Sequence, residues 1–253
     1  MYFITAAINK GIGSHENDDR AYIDGEIISS GFKQVITKFD NCLLIVCDGV
    51  GGESCGYIAA EIALKTFSEI REINLTKNIV VEYIEKANQR ILNEQRKGRM
   101  SYNMATTIAG LYLEKNDFLT FNVGNSRISR FRSPYIAQMT SDHTVVNDLL
   151  KIGMITSREE ATKEQRNTIT RYLGTPNFAV ADIEHGINNP EVCDLFLLSS
   201  DGLHDNVSNA EIEEICRYSE TDHEIVGNLC CKAIENGSKD DITVIIVRFR
   251  GTE

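Results

Sequence analysis

Two apolar segments of this 253-residue chain each end in an Asp-Gly step. The run CLLIVC leads into Asp48 and Gly49, and the run LFLLSS leads into Asp201 and Gly202. Aliphatic runs without a helical period predict buried strands. Each Asp therefore stands where a strand ends, which predicts a β core that carries carboxylates along one edge.

Two further acidic pairs precede apolar segments. Asp18 and Asp19 come just before RAYI, and Asp240 and Asp241 come just before ITVIIVRF. Carboxylates from separate strand ends can converge at one edge of a β core, but their mutual repulsion then requires a cation. Hard oxygen ligands favour magnesium or manganese. At this point the alternative stays open that these aspartates are ordinary turn residues and helix caps.

Composition narrows the class of protein. The chain has three prolines and no low-complexity stretch, so we expect one domain over residues 1–253. We find neither a signal-peptide pattern nor an apolar run of about 18 residues, and the seven cysteines lack CxxC spacing. We therefore expect a cytoplasmic protein with reduced thiols and no membrane association. The formal charge of −11 argues against nucleic acid as a partner.

Strand-like segments occur in blocks that are separated by helices, without regular βαβ alternation. This order predicts an α+β fold of mostly antiparallel sheets covered by helices. Thr76 is expected to cap a helix, and Ser157 and Glu160 have the spacing of a capping box. The predicted strands are 2–8, 21–28, 42–47, 105–113, 118–123, 127–131, 135–139, 178–184, 193–199 and 242–249. The predicted helices are 55–70, 77–95, 142–153, 210–218 and 223–235.

Seven motifs in order carry a resemblance to a known family. They are ENDDR, CDGVGGESCGYIAA, MATTIAGLYL, FNVGNSR, TSDHT, SSDGLHD and GSKDDITVIIV. The chain resembles the metal-dependent protein phosphatases of the 2C type (PPM family), in particular bacterial single-domain members. The resemblance implies a four-layer αββα sandwich, in which two antiparallel sheets are flanked by helix pairs. It also implies hydrolysis of phosphoserine and phosphothreonine in proteins.

The resemblance implies a centre of two Mn²⁺ or Mg²⁺ ions. Asp48 then bridges both ions, Gly49 contributes its carbonyl to one, and Asp201 and Asp240 bind the other. The acidic pair Asp18 and Asp19 acts through metal-bound waters. Asp48, Asp201 and Asp240 together would support catalysis by a metal-activated water.

One departure from the family pattern concerns a third ion. The family's Gly-Asp-Ser-Arg run has Asn125 in place of the Asp. A neutral amide is a weaker ligand for a hard dication than a carboxylate. We therefore expect a third site formed by Asn125, Asp201 and Asp205 to be weak or absent.

A second departure concerns the substrate phosphate. Ser14 stands where the family often has a phosphate-binding Arg, so a bidentate partner is missing. His15 and Arg20 are nearby candidates for a phosphate contact, although an ordinary surface position is favoured for each.

Other positions also carry expectations. Val50 replaces a His that some relatives use as general acid, so a metal-bound water has to protonate the leaving group. Asp241 replaces the usual Asn and is expected to add charge that tightens metal binding. His143 is expected to be a hydrogen-bonded loop residue rather than a catalytic one. Residues 142–180 resemble the family's flap. Its basic residues (Arg158, Lys163, Arg166 and Arg171) are possible phosphopeptide contacts, with a solvated helix face as the alternative.

The resemblance implies phosphorylated proteins as substrates, a signalling role that opposes a Ser/Thr kinase, and a monomer. The alternative is a weakly active or inactive member that binds a phosphoprotein as a regulatory module. Asn125 and Ser14 motivate that alternative, and the intact set of Asp48, Asp201 and Asp240 argues against it.

Overall fold

The computed structural model describes residues 2–12, 16–37, 41–50, 55–70, 74–98, 103–114, 117–176, 180–186 and 194–249. The strands are Tyr2–Asn9 (β1), Arg20–Ile23 (β2), Glu26–Ile28 (β3), Gly31–Thr37 (β4), Asn41–Cys47 (β5), Gly49–Val50 (β6), Ala105–Thr106 (β7), Ile108–Glu114 (β8), Asp117–Val123 (β9), Arg127–Arg132 (β10), Tyr135–Gln138 (β11), Asp182–His185 (β12), Leu195–Ser199 (β13) and Ile242–Phe249 (β14). The helices are Gly56–Phe67 (α1), Lys77–Gln95 (α2), Val145–Lys151 (α3), Lys163–Asn167 (α4), Asp201–His204 (α5), Asn209–Tyr218 (α6) and Asp222–Glu235 (α7), with a 3₁₀ turn at Arg158–Glu160.

The strands form two six-stranded sheets and one short ribbon. The first sheet has the order β11-β10-β13-β14-β1-β4, the second has the order β12-β9-β8-β5-β2-β3, and β6 pairs with β7. The strand pairs of the described residues are antiparallel. The prediction of antiparallel sheets in an α+β fold is confirmed.

Three apolar clusters define four layers. Leu44, Leu111 and Phe196 belong to the cluster between the two sheets. On the outer face of the second sheet, α1 and α2 bury apolar side chains such as Phe67 against the strands. On the outer face of the first sheet, α6 and α7 do the same. Each sheet therefore buries both faces, which explains why its central strands are almost entirely apolar.

Helix caps follow the sequence at some positions and not at others. The Thr76 side chain accepts a hydrogen bond from the Ile79 N–H, so the predicted cap of α2 is confirmed. The capping box at Ser157 is wrong, because that side chain makes no cap bond to the short 3₁₀ turn that follows. Thr162 forms a capping box with Gln165 instead, at the start of α4.

Other differences have clear physical reasons. The predicted strand 21–28 is a hairpin, because the chain reverses at Asp24-Gly25, both with positive φ. The sequence prediction missed β4, an edge strand whose side chains are mostly exposed and therefore lack an apolar signal. The predicted helix 142–153 is shorter, since α3 starts after Thr144, whose side chain accepts a bond from the Asn147 N–H. Residues 178 and 193, the first residues of two predicted strands, lie outside the described residues.

Two broader expectations concern membranes and thiols. Among the described helices, none is long and apolar enough to cross a bilayer. The described cysteines are free thiols. Cys42, Cys47, Cys55 and Cys193 lie within or beside apolar runs and are expected to be mostly buried; the first three are buried, and Cys193 lies outside the described residues.

Candidate metal centre

Antiparallel pairing brings the predicted carboxylates to one end of the sandwich. Asp48 follows β5, and Asp18 and Asp19 precede β2, its neighbour in the second sheet. Asp201 follows β13, and Asp240 comes two residues before β14, its neighbour in the first sheet. Because one strand of each pair ends where its partner begins, these side chains share one edge. The centre therefore lies across both sheets.

A threonine pair fixes the backbone of Asp48. The Thr107 N–H and the Thr106 hydroxyl both donate to the Asp48 carbonyl, at 2.9 and 3.0 Å. The Asp48 N–H donates to the Thr107 hydroxyl oxygen at 3.0 Å, and Thr107 Oγ1 lies 2.6 Å from Ser126 Oγ. The side chain of Asp48 takes no part in these bonds and stays available to a ligand.

Asp19 is held by hydroxyl groups of the opposite sheet. It is 1% exposed, and its Oδ2 accepts hydrogen bonds from Ser200 Oγ at 2.6 Å and Thr243 Oγ1 at 2.7 Å. Its Oδ1 is buried and has no hydrogen-bond partner among the described residues. A buried carboxylate oxygen without a donor is costly, so it is poised for a water molecule or a cation.

Asp241 organises the segment that carries Asp18. Its Oδ1 accepts the N–H of Gly11 and its Oδ2 accepts the N–H of Asp18, both at 2.6 Å. The Asp18 carboxylate accepts the Tyr57 N–H at 2.8 Å, which ties the same segment to the start of α1. Both oxygens of Asp241 are thus occupied by backbone donors. The prediction that Asp241 tightens metal binding stays a prediction, but its observed contacts are with the protein backbone.

Crowding of carboxylates raises their pKa values. Burial, followed by the charges of Asp201, Asp19 and Asp240, raises the pKa of Asp48 well above its usual range. The pKa of Asp201 rises to about 6, chiefly through burial and then through Asp240 and Asp205. The pKa of Asp19 rises to about 8, mainly through burial. These groups oppose one another's ionisation, so a bound cation would be strongly favoured here.

Asn125 contacts this cluster through its amide. Its Nδ2 donates a hydrogen bond to Asp201 Oδ2 at 3.0 Å, and the residue is 5% exposed. Its Oδ1 is buried without a hydrogen-bond partner in the described part of the chain. The amide thus places a partial positive charge beside Asp201, where a carboxylate would add a negative one. Asp205, the remaining member of the predicted third site, is exposed and shares a cleft with Asp201.

Both Asp-Gly glycines are required by close backbone contacts. A Cβ at Gly49 would lie 2.3 Å from the Gly56 carbonyl carbon, and a Cβ at Gly202 would lie 2.0 Å from the Asp241 carbonyl oxygen. Any side chain at either position would displace backbone. The glycines therefore allow the loops that carry the aspartates to pack together.

An open cleft of about 840 Å³ lies beside the carboxylates, and we call it the charged cleft. Its lining includes the acidic residues Asp201, Asp205 and Asp240. It also includes the basic residues Arg158 and Arg166 of the predicted flap, and Lys239. An anionic group can therefore enter the cleft close to the acidic cluster, because basic side chains of the lining can pair with the charge of that group.

The donor set fits a hard divalent cation. Among the described residues, no three carboxylate, imidazole or thiol groups already stand as a ready-made chelate. Besides burial, the charges of Asp201 and Asp240 raise the pKa of Asp48, and the charge of Asp240 raises the pKa of Asp201, so these carboxylates form one repelling cluster that a cation would neutralise. The unpartnered Oδ1 atoms of Asp19 and Asn125 supply further oxygen donors.

Arg20 requires a correction. The expected surface position is wrong, because Arg20 is 2% exposed. Its guanidinium donates to the carbonyls of Asn17 and Asp19 and lies 3.4 Å from Glu61 Oε1. These contacts hold the turn before β2 and remove Arg20 from the candidates for a phosphate contact. Ser14 and His15 lie outside the described residues.

His143 joins the predicted flap to the loop of Asn125. Its Nδ1 accepts the Gly124 N–H at 3.0 Å, and its Nε2 lies 3.1 Å from Asp182 Oδ2. The expected hydrogen-bonded loop histidine is confirmed. Burial lowers the pKa of His143, so the neutral ring with its proton on Nε2 fits both contacts.

Sequence reasoning missed the hydroxyl groups that orient the carboxylates. These residues, Thr106, Thr107, Ser126, Ser200 and Thr243, all lie inside the motifs named above, at or beside strand ends. The sequence signal that could have identified them is a polar residue at an otherwise apolar strand end. A hydroxyl group buried there needs a hydrogen-bond partner.

Comparisons with known proteins show the family and the fold. The family model for protein phosphatase 2C matches residues 32–226. Protein phosphatase PhpP of Streptococcus pneumoniae is 30% identical over 223 residues, which cover 84% of this chain and 87% of that protein. The serine/threonine phosphatase of S. agalactiae has a TM-score of 0.85 and 28% identity, with 99% of this chain and 100% of that chain covered. The catalytic domain of the phosphatase PstP, solved with two manganese ions, has a TM-score of 0.78 and 22% identity, with 99% and 100% covered.

The fold is an αββα sandwich that gathers a cluster of carboxylates at one end, as expected of a phosphatase of the 2C type. The chain belongs to the protein phosphatase 2C family.

Proposed function

We propose that this chain is a metal-dependent phosphoprotein phosphatase that hydrolyses phosphoserine and phosphothreonine. The observation that carries the proposal is the convergence of Asp48, Asp201 and Asp240 at one end of the two sheets, beside a cleft that also holds cationic side chains. Membership of the protein phosphatase 2C family supports the reaction. The S. agalactiae relative, which is a serine/threonine phosphatase by name, supports the substrate class.

The residues that would hold two ions are the side chains of Asp48, Asp201 and Asp240 and the carbonyl of Gly49. Asp18 and Asp19 would act through water. When bound, two divalent cations supply charge for a transferring phosphoryl group and acidify a water molecule. Oxygen-only donors favour Mn²⁺ or Mg²⁺.

The chain's own residues position these groups. Thr106 and Thr107 fix the Asp48 backbone, and Ser200 and Thr243 bind one oxygen of Asp19, so its buried Oδ1 would be the acceptor for a metal-bound water. Val50 is 40% exposed beside the centre and has no proton to give. The leaving serine or threonine oxygen therefore takes its proton from water.

Partners and location complete the proposal. Phosphorylated proteins are the substrates, a Ser/Thr kinase supplies them, and the chain acts in the cytoplasm as a monomer, as one catalytic domain over 1–253. The net charge of −11 supports the absence of nucleic acid from this scheme. A phosphate contact by Ser14 or His15 also belongs to the proposal.

The test is hydrolysis of a phosphothreonine peptide and of p-nitrophenyl phosphate with manganese present. Asp201→Asn should lower turnover by about a hundredfold or more, since the metal affinity and the developing charge both depend on this carboxylate. Asp117→Asn, on the β8–β9 hairpin, is the matched control. Turnover that is equal in wild type and Asp201→Asn at saturating metal would refute the assignment. Phosphopeptide binding without any turnover would favour the regulatory-module alternative.

A further inference from the structure

A second hollow adjoins the charged cleft, and we call it the uncharged pocket. It has a volume of about 480 Å³ and lies between the β6–β7 ribbon and the chain after α4. Val50, Ala105, Ile169, Tyr172 and Pro176 give it apolar walls. Its polar lining comes from amide and hydroxyl groups, and none of its described lining residues is charged. The charged cleft, in contrast, is lined by aspartates, arginines and a lysine.

The uncharged pocket opens directly beside the candidate metal centre. Val50 is the second residue after Asp48, so their Cα atoms lie within about 7.6 Å. Ala105 pairs with Val50 in the ribbon and precedes Thr106, whose hydroxyl contacts the Asp48 carbonyl. Asn167, the last residue of α4, lines both hollows. The two hollows therefore adjoin at Asn167, so a side chain that neighbours a group in the charged cleft can enter the uncharged pocket.

Internal hydrogen bonds hold the wall of this pocket in place. Asn88 of α2 is 1% exposed, and its Oδ1 accepts the N–H of Gly174 at 2.6 Å, while its Nδ2 donates to the Thr175 carbonyl at 3.1 Å. Gln95 Nε2 donates to the carbonyls of Met104 and Gly174, at 2.8 and 2.9 Å. A wall fixed by buried amides needs little ordering when a ligand enters.

The wall belongs to the predicted flap and is also joined to β7 and to the start of α3. Leu173 exchanges two backbone hydrogen bonds with Thr106, at 2.9 and 3.1 Å. Ile169 forms a β-bridge with Thr144 at the start of α3. The side chain of Ile169 is only partly buried, so apolar surface remains for an incoming group.

We propose that the uncharged pocket is a specificity subsite that binds an apolar side chain one or two residues from the phosphorylated residue of the substrate. The inference rests on the proposed phosphatase function and adds the substrate class: phosphopeptides with a large aliphatic or aromatic neighbour. An apolar side chain gains by leaving water for this pocket. A charged neighbour gains nothing there, because none of the described lining residues carries a charge that would offset its desolvation.

The test uses phosphothreonine peptides that differ in one residue, placed in turn at positions −2, −1, +1 and +2. Leu, Ala and Asp are compared at each position, and p-nitrophenyl phosphate serves as a substrate without neighbours. In wild type, at one position, Leu should raise kcat/KM over Ala by about tenfold, and Asp should lower it.

Ile169→Lys should remove the preference for Leu and create one for Asp, because it places a cation in the pocket. Ile152→Lys is the matched control, since Ile152 is 68% exposed and does not line the pocket. Both variants should hydrolyse p-nitrophenyl phosphate like wild type.

Two results would overturn the inference while the proposed function stands: equal kcat/KM for Leu, Ala and Asp peptides at every position, or identical preferences in Ile169→Lys and Ile152→Lys. If wild type hydrolyses neither peptides nor p-nitrophenyl phosphate, the proposed function fails and the subsite fails with it. Should Ile169→Lys not fold, Tyr172→Ser provides the second probe, and it should reduce the Leu preference toward that of Ala.

Discussion

At the scale of single residues, the centre depends on a few polar atoms placed at strand ends. Asp19 shows this most clearly, because one of its oxygens accepts two hydroxyl hydrogen bonds and the other has no partner among the described residues. Such half-satisfied groups are unfavourable in a metal-free protein and become favourable when a cation or water completes them. Asn125 is half-satisfied in the same way. Its Nδ2 donates to Asp201, and its Oδ1 has no partner among the described residues.

Asn125→Asp tests this reading. Without metal, the new carboxylate should destabilise the protein. The substitution removes the amide that donates to Asp201 and places a second negative charge beside it. With manganese, the variant should gain more stability than wild type and should need less metal for full activity. Thermal unfolding with and without manganese measures both effects. Asn228→Asp adds the same charge on α7 as a control, and a variant whose metal dependence matches this control would contradict the reading.

At the scale of elements, the packing of α1 on the second sheet depends on a glycine in that sheet. Gly110 of β8 lies opposite Phe121 of β9, and a Cβ there would lie 2.0 Å from the Phe121 ring. That ring stacks on Phe67 of α1, with a centroid distance of 5.3 Å. The position of α1, which carries the contacts to Asp18, thus depends on this stack.

Gly110→Ala should destabilise the protein by about 1–3 kcal/mol, because the added methyl group forces the aromatic stack apart. Gly227→Ala is the matched control, since a Cβ at that position in α7 meets no atom within 4 Å. The control should stabilise the protein by up to about 1 kcal/mol through helix propensity. Urea unfolding measures the unfolding free energy of both variants. Equal unfolding free energies would contradict the proposed role of the aromatic stack.

The flap is joined to the centre by a neutral histidine. Burial lowers the pKa of His143 below its usual value near 6.5, so the folded ring binds a proton less tightly than the unfolded one. Its contribution to stability is therefore complete above about pH 6.5 and is lost as the pH falls through the lower pKa of the folded state.

His143→Asn should reduce this acid sensitivity, since Asn offers an acceptor to the Gly124 N–H but does not titrate. We expect a smaller loss of unfolding free energy between about pH 7.5 and about pH 5 than in wild type. His185→Asn, on the exposed end of β12, controls for the loss of a histidine. A wild-type-like pH dependence in His143→Asn would show that another group is responsible.

At the scale of the whole molecule, the sequence predicted the layers well because buried strands have strong apolar runs. The β5 and β13 runs end at Asp48 and Asp201, and antiparallel pairing brings those ends together. Edge strand β4 was missed because its exposed side chains give little apolar signal. Arg20 was misplaced because a buried arginine is unusual, and only tertiary structure shows the carbonyls that satisfy it.

The partners of the carboxylates could not be predicted for a related reason. Asp241 contacts backbone more than 200 residues away in sequence, at Gly11 and Asp18. Local pattern carries no information on such pairs. The assignment of metal ligands therefore stays a prediction that binding measurements must test.

Manganese titration of wild type and Asp48→Asn tests the central claim most directly, with bound ions counted by calorimetry and phosphothreonine peptide turnover measured on the same samples. The account predicts two ions per wild-type chain, loss of turnover on chelation and recovery when manganese is restored. In Asp48→Asn it predicts loss of tight binding of both ions and of turnover, while the fold is retained, because Asp48 is the ligand proposed to bridge them. Wild-type turnover that survives complete chelation, or an Asp48→Asn variant that binds two ions and turns over like wild type, would contradict it.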